Sequence, residues 1–249
     1  PAEPEVADVQ PTADSLLELS RAGGHAASDY LEIAALSGVV TVGCRRAGGG
    51  LAGQVFDSNV LEGARLAAEL QPDFVLFDGS GAAIPPVDVD RRILVARTDL
   101  DATAYLNPYR ILVSDLVVLV GDGDPGPIRA VKDVPVVRAE LRLSPVEPLA
   151  GRRTAVFTTG PAPTEHLDAD VVLVSRNLAD RERLREDLAG VDADVYLVEV
   201  KAAAIDVVAE AARERGVEVV FAANDVVPRP GEPDLDAEIA KLVEPRVRA

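Results

Sequence analysis

Seven short apolar runs, of five to seven residues each, constrain this chain more than any other feature. They are RILVA from Arg92, DLVVLVG from Asp115, VPVVRA from Val134, RTAVFTT from Arg153, DVVLVS from Asp170, DVYLVEV from Asp194 and VEVVFA from Val217. Their apolar residues follow one another without alternating with polar ones. A strand of that kind has both faces covered, and this is the signature of a parallel sheet between layers of helix. Two earlier stretches, VVTVGC (39–44) and DFVLFD (73–78), read as buried strands by the same rule.

Helical spacing falls between the runs, at 12–21, 28–36, 59–70, 179–188, 202–215 and 235–242. Asn59, with Glu62 three residues on, has the form of a capping box. The expected fold is therefore α/β, with a doubly wound, mostly parallel sheet followed by a smaller α/β domain. LSPVEPLAG, with two prolines and a glycine, suggests a linker at 143–151. It would separate a core domain at 1–142 from a carboxyl-terminal domain at 152–249.

Composition excludes several function classes. The 249 residues carry a formal charge of −17, which argues against a nucleic-acid partner. No apolar run is long enough to span a bilayer, so no membrane partner is expected. The single cysteine, Cys44, cannot form an internal disulfide and suits a reducing cytoplasm. The chain begins at Pro1 and holds no methionine, so it is read as a piece of a longer protein.

Chemistry concentrates in VGCRRAGGGLAG, residues 42–53, where Arg45 and Arg46 stand against Gly48, Gly49 and Gly50. Glycines let a backbone approach a ligand, and paired arginines attract phosphate. A surface loop without a ligand is the competing reading. In FVLFDGSG, Asp78 closes an apolar run in front of Gly79, Ser80 and Gly81, a place for a magnesium ligand beside phosphate. A turn capped by an aspartate is the alternative there. Lys201, in EVKAAAIDVV, could add positive charge at a strand-to-helix junction or simply be solvated. No G-x-x-x-x-G-K-[ST] loop occurs anywhere.

GGHAASDYLEIA, VGCRRAGGGLAGQVFDSNVLEGA, FVLFDGSGAAIPP, NPYRILVSDLVVL and EVKAAAIDVV, in that order, resemble the cyclic 2,3-diphosphoglycerate synthetases. The resemblance runs from about Gly23 to the last helix and implies a partial P-loop NTPase-like core akin to dethiobiotin synthetases. It implies ATP-dependent closure of an intramolecular phosphoanhydride in 2,3-diphosphoglycerate, with Mg2+, in the cytoplasm. In that family a lysine-bearing P-loop lies upstream of the region matched. The family usually has glutamate where Asp78 stands.

On this resemblance Arg45, Arg46 and Lys201 would be catalytic. His25, Ser28, Asp29, Arg45, Arg46, Gly48, Gly49, Gly50, Ser58 and Asn59 would bind substrate. Asp78, Gly79, Ser80 and Gly81 would bind nucleotide, with Asp78 as the metal ligand. The partner is a small phosphorylated substrate, and a homodimer is left open. Two further readings remain: phosphoglycerate kinase-type transfer without cyclisation, and a non-catalytic binding or scaffolding module.

Overall fold

A computed structural model describes residues 3–7, 12, 14–15, 18, 29–47, 57–79, 87–101, 103–105, 107–200 and 205–243, with Asp29, Arg46 and Ala47 as backbone only. The described elements begin with β1 (Glu5–Ala7), α1 (Asp29–Ser37), β2 (Thr41–Gly43), β3 (Arg46–Ala47), β4 (Asp57–Ser58) and α2 (Val60–Glu69). Next come β5 (Ile93–Arg97), α3 (Asn107–Val113), β6 (Leu116–Val120), α4 (Gly126–Val131) and β7 (Val136–Pro145). The chain continues through β8 (Arg153–Phe157), β9 (Asp170–Ser175), α5 (Arg181–Gly190) and β10 (Val195–Glu199). It closes with α6 (Ile205–Arg215), β11 (Glu218–Pro228) and α7 (Leu235–Val243).

The seven apolar runs become the seven strands of one sheet, in the order β5-β6-β7-β11-β10-β8-β9. The pairs β5–β6, β6–β7, β8–β9, β8–β10 and β10–β11 are parallel. The fold is the α/β, mostly parallel one that continuous apolar strands demand. The chain divides into two units, one of residues 1–2, 45–141 and 226–249, the other of 3–44 and 142–225.

In the first unit, β6 shows why its run lacks polar residues. Val117 and Leu119 pack with Ile111 of α3 and Ile128 of α4, while Leu116 and Val118 face Leu235 of α7 on the other side. Helix α4 occupies the connection between Gly121 and Asp133. Gly121 has a φ of +115°, and a side chain there would run into the Thr98 hydroxyl. Arg138 holds Glu232 through its backbone N–H (3.1 Å) and its Nε (2.6 Å). These donors, the backbone N–H first, hold the Glu232 carboxyl below its usual range against the opposing effect of burial.

In the second unit both sheet faces are also covered. Phe157, Tyr196 and Val198 meet Leu184 and Leu188 of α5 and Ile205 and Val208 of α6. Val156, Leu197 and Val220 meet Leu143 and Leu149, with Leu167 and Ala169 from the β8–β9 connection packed against them. The Phe157 and Tyr196 rings pack edge to face at 5.3 Å between centroids.

Two expected buried strands come out differently. In VVTVGC only Thr41–Gly43 is a strand, half-buried and paired antiparallel with β1, while Val39 and Val40 are exposed. Its one short described neighbour supplies a ladder but no covering layer. DFVLFD forms no strand: residues 74–78 have no regular structure, and Phe74 and Leu76 are 61% and 93% exposed. An apolar run becomes a buried strand only where neighbours supply hydrogen bonds and a layer to pack on.

Candidate functional site

The short ladder between β3 and β4 brings four of the expected substrate-binding residues together. Arg46 lies opposite Ser58, and Ala47 opposite Asp57. One step further out, the Arg45 N–H donates to Asn59 Oδ1 at 2.6 Å, and the Asn59 N–H donates to the Arg45 carbonyl at 3.2 Å. Strands β3 and β4 therefore form a hairpin closed at its base by the Arg45–Asn59 pair. Asn59 is almost fully buried, whereas Arg45 is exposed. The arrangement fixes the backbone of an exposed arginine.

That use of Asn59 corrects the expected capping box. Its side chain makes no cap bond to α2, because its oxygen already accepts from Arg45 fourteen residues earlier. The Ser58 hydroxyl accepts from the Val60 N–H at 3.1 Å in its place. The long-range bond closes a hairpin, which a local cap cannot do.

Gly43, the first glycine of the arginine–glycine stretch, has a packing role. A Cβ there would lie 2.6 Å from Cγ of the Tyr30 ring, so glycine is required for the ring to sit against β2. Tyr30 in turn donates its hydroxyl to Glu5 Oε2 at 2.6 Å. Asp29 opens α1 in the same unit.

Asp78 and Gly79 are exposed, in a segment outside any helix or strand, so Asp78 does not end a strand as the sequence suggested. With no ladder formed over 74–78, no strand edge fixes the carboxylate. His25, Ser28, Gly48, Gly49, Gly50, Ser80, Gly81 and Lys201 lie outside the described residues. Among the described residues, no group of three or more His, Cys, Asp or Glu side chains is placed to hold a metal. None of the described helices is long and apolar enough to cross a membrane.

One polar centre was missed in the sequence. Glu199 ends β10 with only 7% exposure, and its Oε2 accepts from the Thr159 N–H (2.9 Å) and hydroxyl (3.1 Å). Its Oε1 accepts from Asn224 Nδ2 at 3.0 Å. The available signal was an acid closing an apolar run, VYLVE, the same one that singled out Asp78 in FVLFD.

Comparison with known proteins places the chain. Residues 1–140 match the family model "Cyclic 2,3-diphosphoglycerate synthetase, P-loop domain", and residues 145–225 match the C-terminal domain of the same synthetase. A cyclic 2,3-diphosphoglycerate synthetase of Rubrobacter xylanophilus is 48% identical over 91% of this chain and 58% of its own length. That of Methanothermobacter thermautotrophicus is 36% identical over 98% of this chain and 59% of its own. That of Thermococcus kodakarensis is 36% identical over 97% and 61%. The chain thus spans about three-fifths of the length of the curated relatives it matches. By both domain matches, the chain belongs to the cyclic 2,3-diphosphoglycerate synthetase family.

Proposed function

We propose that this chain takes part in ATP-dependent synthesis of cyclic 2,3-diphosphoglycerate, and that its hairpin at residues 45–59 holds the phosphorylated substrate. The observation that carries this reading is the pairing of Arg45 with Asn59 and of Arg46 with Ser58 at the hairpin base. Two arginines and a serine at one short ladder are suited to a small, highly anionic ligand. In the reaction, a phosphoryl group passes from ATP to one phosphate of 2,3-diphosphoglycerate and ADP leaves. The neighbouring phosphate then attacks the activated phosphorus, the ring closes and inorganic phosphate departs.

Arg45 and Arg46 orient the two phosphates and offset their mutual repulsion, which otherwise opposes ring closure. Lys201 adds charge in the same role. Asp78, Gly79, Ser80 and Gly81 serve the nucleotide, and His25, Ser28, Asp29 and Gly48–Gly50 complete the substrate contacts. Asp78 fits Mg2+: it is an exposed hard-oxygen donor, and magnesium commonly takes one or two carboxylates with phosphate and water completing its shell. Magnesium bound there supplies charge neutralisation on the phosphates. The proposed setting is the cytoplasm, with a homodimer as the candidate assembly.

Binding rather than turnover is the direct readout, because the 249 residues hold no G-x-x-x-x-G-K-[ST] loop. Calorimetry with 2,3-diphosphoglycerate should show saturable binding, weakened about 10- to 100-fold by Arg45→Ala, as loss of a charge-assisted hydrogen bond of about 1.5–3 kcal/mol implies. Unchanged affinity in both Arg45→Ala and Arg46→Ala overturns the assignment of the hairpin. The second reading is a module that binds substrate without catalysis, and a G-x-x-x-x-G-K-[ST] loop encoded upstream of Pro1 would support the enzyme instead. ATP turnover by the 249-residue chain would exclude the module.

A further inference from the structure

In the second unit, the connection leaving β8 and the one leaving β10 pass over opposite faces of the sheet. Residues 158–169 lead from β8 to β9 and place Leu167 and Ala169 on the face formed by Val156 and Leu197. Helices α5 and α6 lie on the other face, against Phe157 and Val198. With the local order β11-β10-β8-β9, the chain reverses its direction of winding between β8 and β10. Diverging connections leave a crevice outside the carboxyl ends of the two strands, the place where open α/β sheets take their ligands.

The side chains at this crevice are specific in character. Glu199 follows Val198, which is paired with Phe157, so its carboxylate lies level with Thr158 at the end of β8. β11 runs past β10 and brings Asn224 to the same edge. A carboxylate has about four acceptor positions. Two on Oε2 are taken by Thr159 and one on Oε1 by Asn224, which leaves one on Oε1 among the described residues. Asn224 gives its Nδ2 to Glu199, and no donor among the described residues reaches its Oδ1. Gly160 adds room, since a Cβ there would meet nothing within 4 Å.

The crevice therefore offers two neighbouring acceptors, one carboxylate and one amide oxygen, while Thr159 spends both its donors inward. A phosphate would be repelled by the Glu199 carboxylate, and among the described side chains here only the second N–H of Asn224 is left to receive it. Two adjacent hydroxyl groups fit, each donating to one acceptor. We propose that the carboxyl edge of β8, β10 and β11 is a ligand site distinct from the arginine hairpin, recognising a vicinal diol through Glu199 and Asn224. A ribose and a free polyol share that chemistry.

Saturation-transfer NMR on the 249-residue chain tests this with adenosine, 2′-deoxyadenosine and glycerol, none of which carries a phosphate. Transfer to the ribose protons of adenosine is expected, with the deoxynucleoside binding about tenfold more weakly, as loss of one hydrogen bond to a charged acceptor implies. Glycerol binding as tightly as adenosine assigns the site to polyols, and much weaker glycerol assigns it to ribosides. Glu199→Gln should erase the preference for adenosine over the deoxynucleoside. Asn224→Ala, which keeps the carboxylate, should reduce that preference even if Glu199→Gln fails to fold. No transfer from adenosine or glycerol, or equal binding of both nucleosides by the parent, overturns the proposal. Because no probe bears phosphate, that result leaves 2,3-diphosphoglycerate binding at the hairpin to be judged by its own titration.

Discussion

FVLFD at 74–78 and VYLVE at 195–199 are nearly the same word, four apolar residues closed by an acid, yet they take opposite structures. All five residues of the second are buried in β10, between two parallel neighbours and under helices α5 and α6. The first forms no strand and leaves Phe74, Val75 and Leu76 exposed. The acids diverge in the same way: Glu199 is held by three donors, and Asp78 is exposed at the end of an unpaired segment. The word carries the propensity, but the neighbours that could use it come from elsewhere in the chain. Burial is thus a property of the layer that receives a strand as much as of the strand.

Matched truncations should break this comparison if it is wrong. Leu197→Ala removes a fully buried side chain and should cost about 2–5 kcal/mol in urea unfolding. Similar costs for Leu197→Ala and Leu76→Ala would mean the two words are equally buried in solution. Among the acids, Glu199→Gln keeps one acceptor oxygen, strands the donors that faced the other, and should cost about 1–3 kcal/mol by the same measurement. Asp78→Asn, at an exposed site, should stay within about 0.5 kcal/mol.

Glu232 in the first unit sharpens the point, because there a carboxylate does receive donors. Arg138 keeps its pKa below the usual 4.5, so the folded state binds this proton less readily than the unfolded one. Its stabilisation is fully present above about pH 4.5 and is lost as pH falls through the lower folded-state value. Arg138 is partly exposed, so solvent reduces the effect to about 1 kcal/mol. The stability gap between parent and Glu232→Gln should be widest near neutrality and close in acid. A gap that stays constant with pH would show that the pair is held by packing alone. The smallest change is expected at Leu76→Ala, within about 0.5 kcal/mol in either direction.

The sheet was legible because its seven strands are dense, continuous apolar runs, a pattern that only a doubly covered parallel strand tolerates. The arginine hairpin was legible as a cluster of types, and its geometry was not: nothing local in SNV signals that Asn59 reaches back to Arg45. A short polar side chain next to a helix favours its own backbone, so a long-range bond overrides the local rule without a sequence trace. Gly43 misled for a similar reason. A glycine beside arginines suggests room for a ligand, whereas here it makes room for the Tyr30 ring. Helix α4 is too short for its periodicity to stand out between Gly121 and Asp133.

The outer strand β5 carries a consequence for how copies of this molecule treat one another. It ends the strand order among the described residues, and Ile93 and Val95 on one of its faces are 43% and 62% exposed. Such a border is a template on which another chain can add a strand. The net charge of −17 then acts as a colloidal guard, keeping neighbouring molecules too far apart for those borders to meet. That guard is conditional on the medium. Titration toward the isoelectric point near 4.5 removes it, and salt shortens its reach to about 3 Å at 1 M. Precipitation should therefore set in on acidification while the sheet is still folded, with β5 as the seam along which the molecules join.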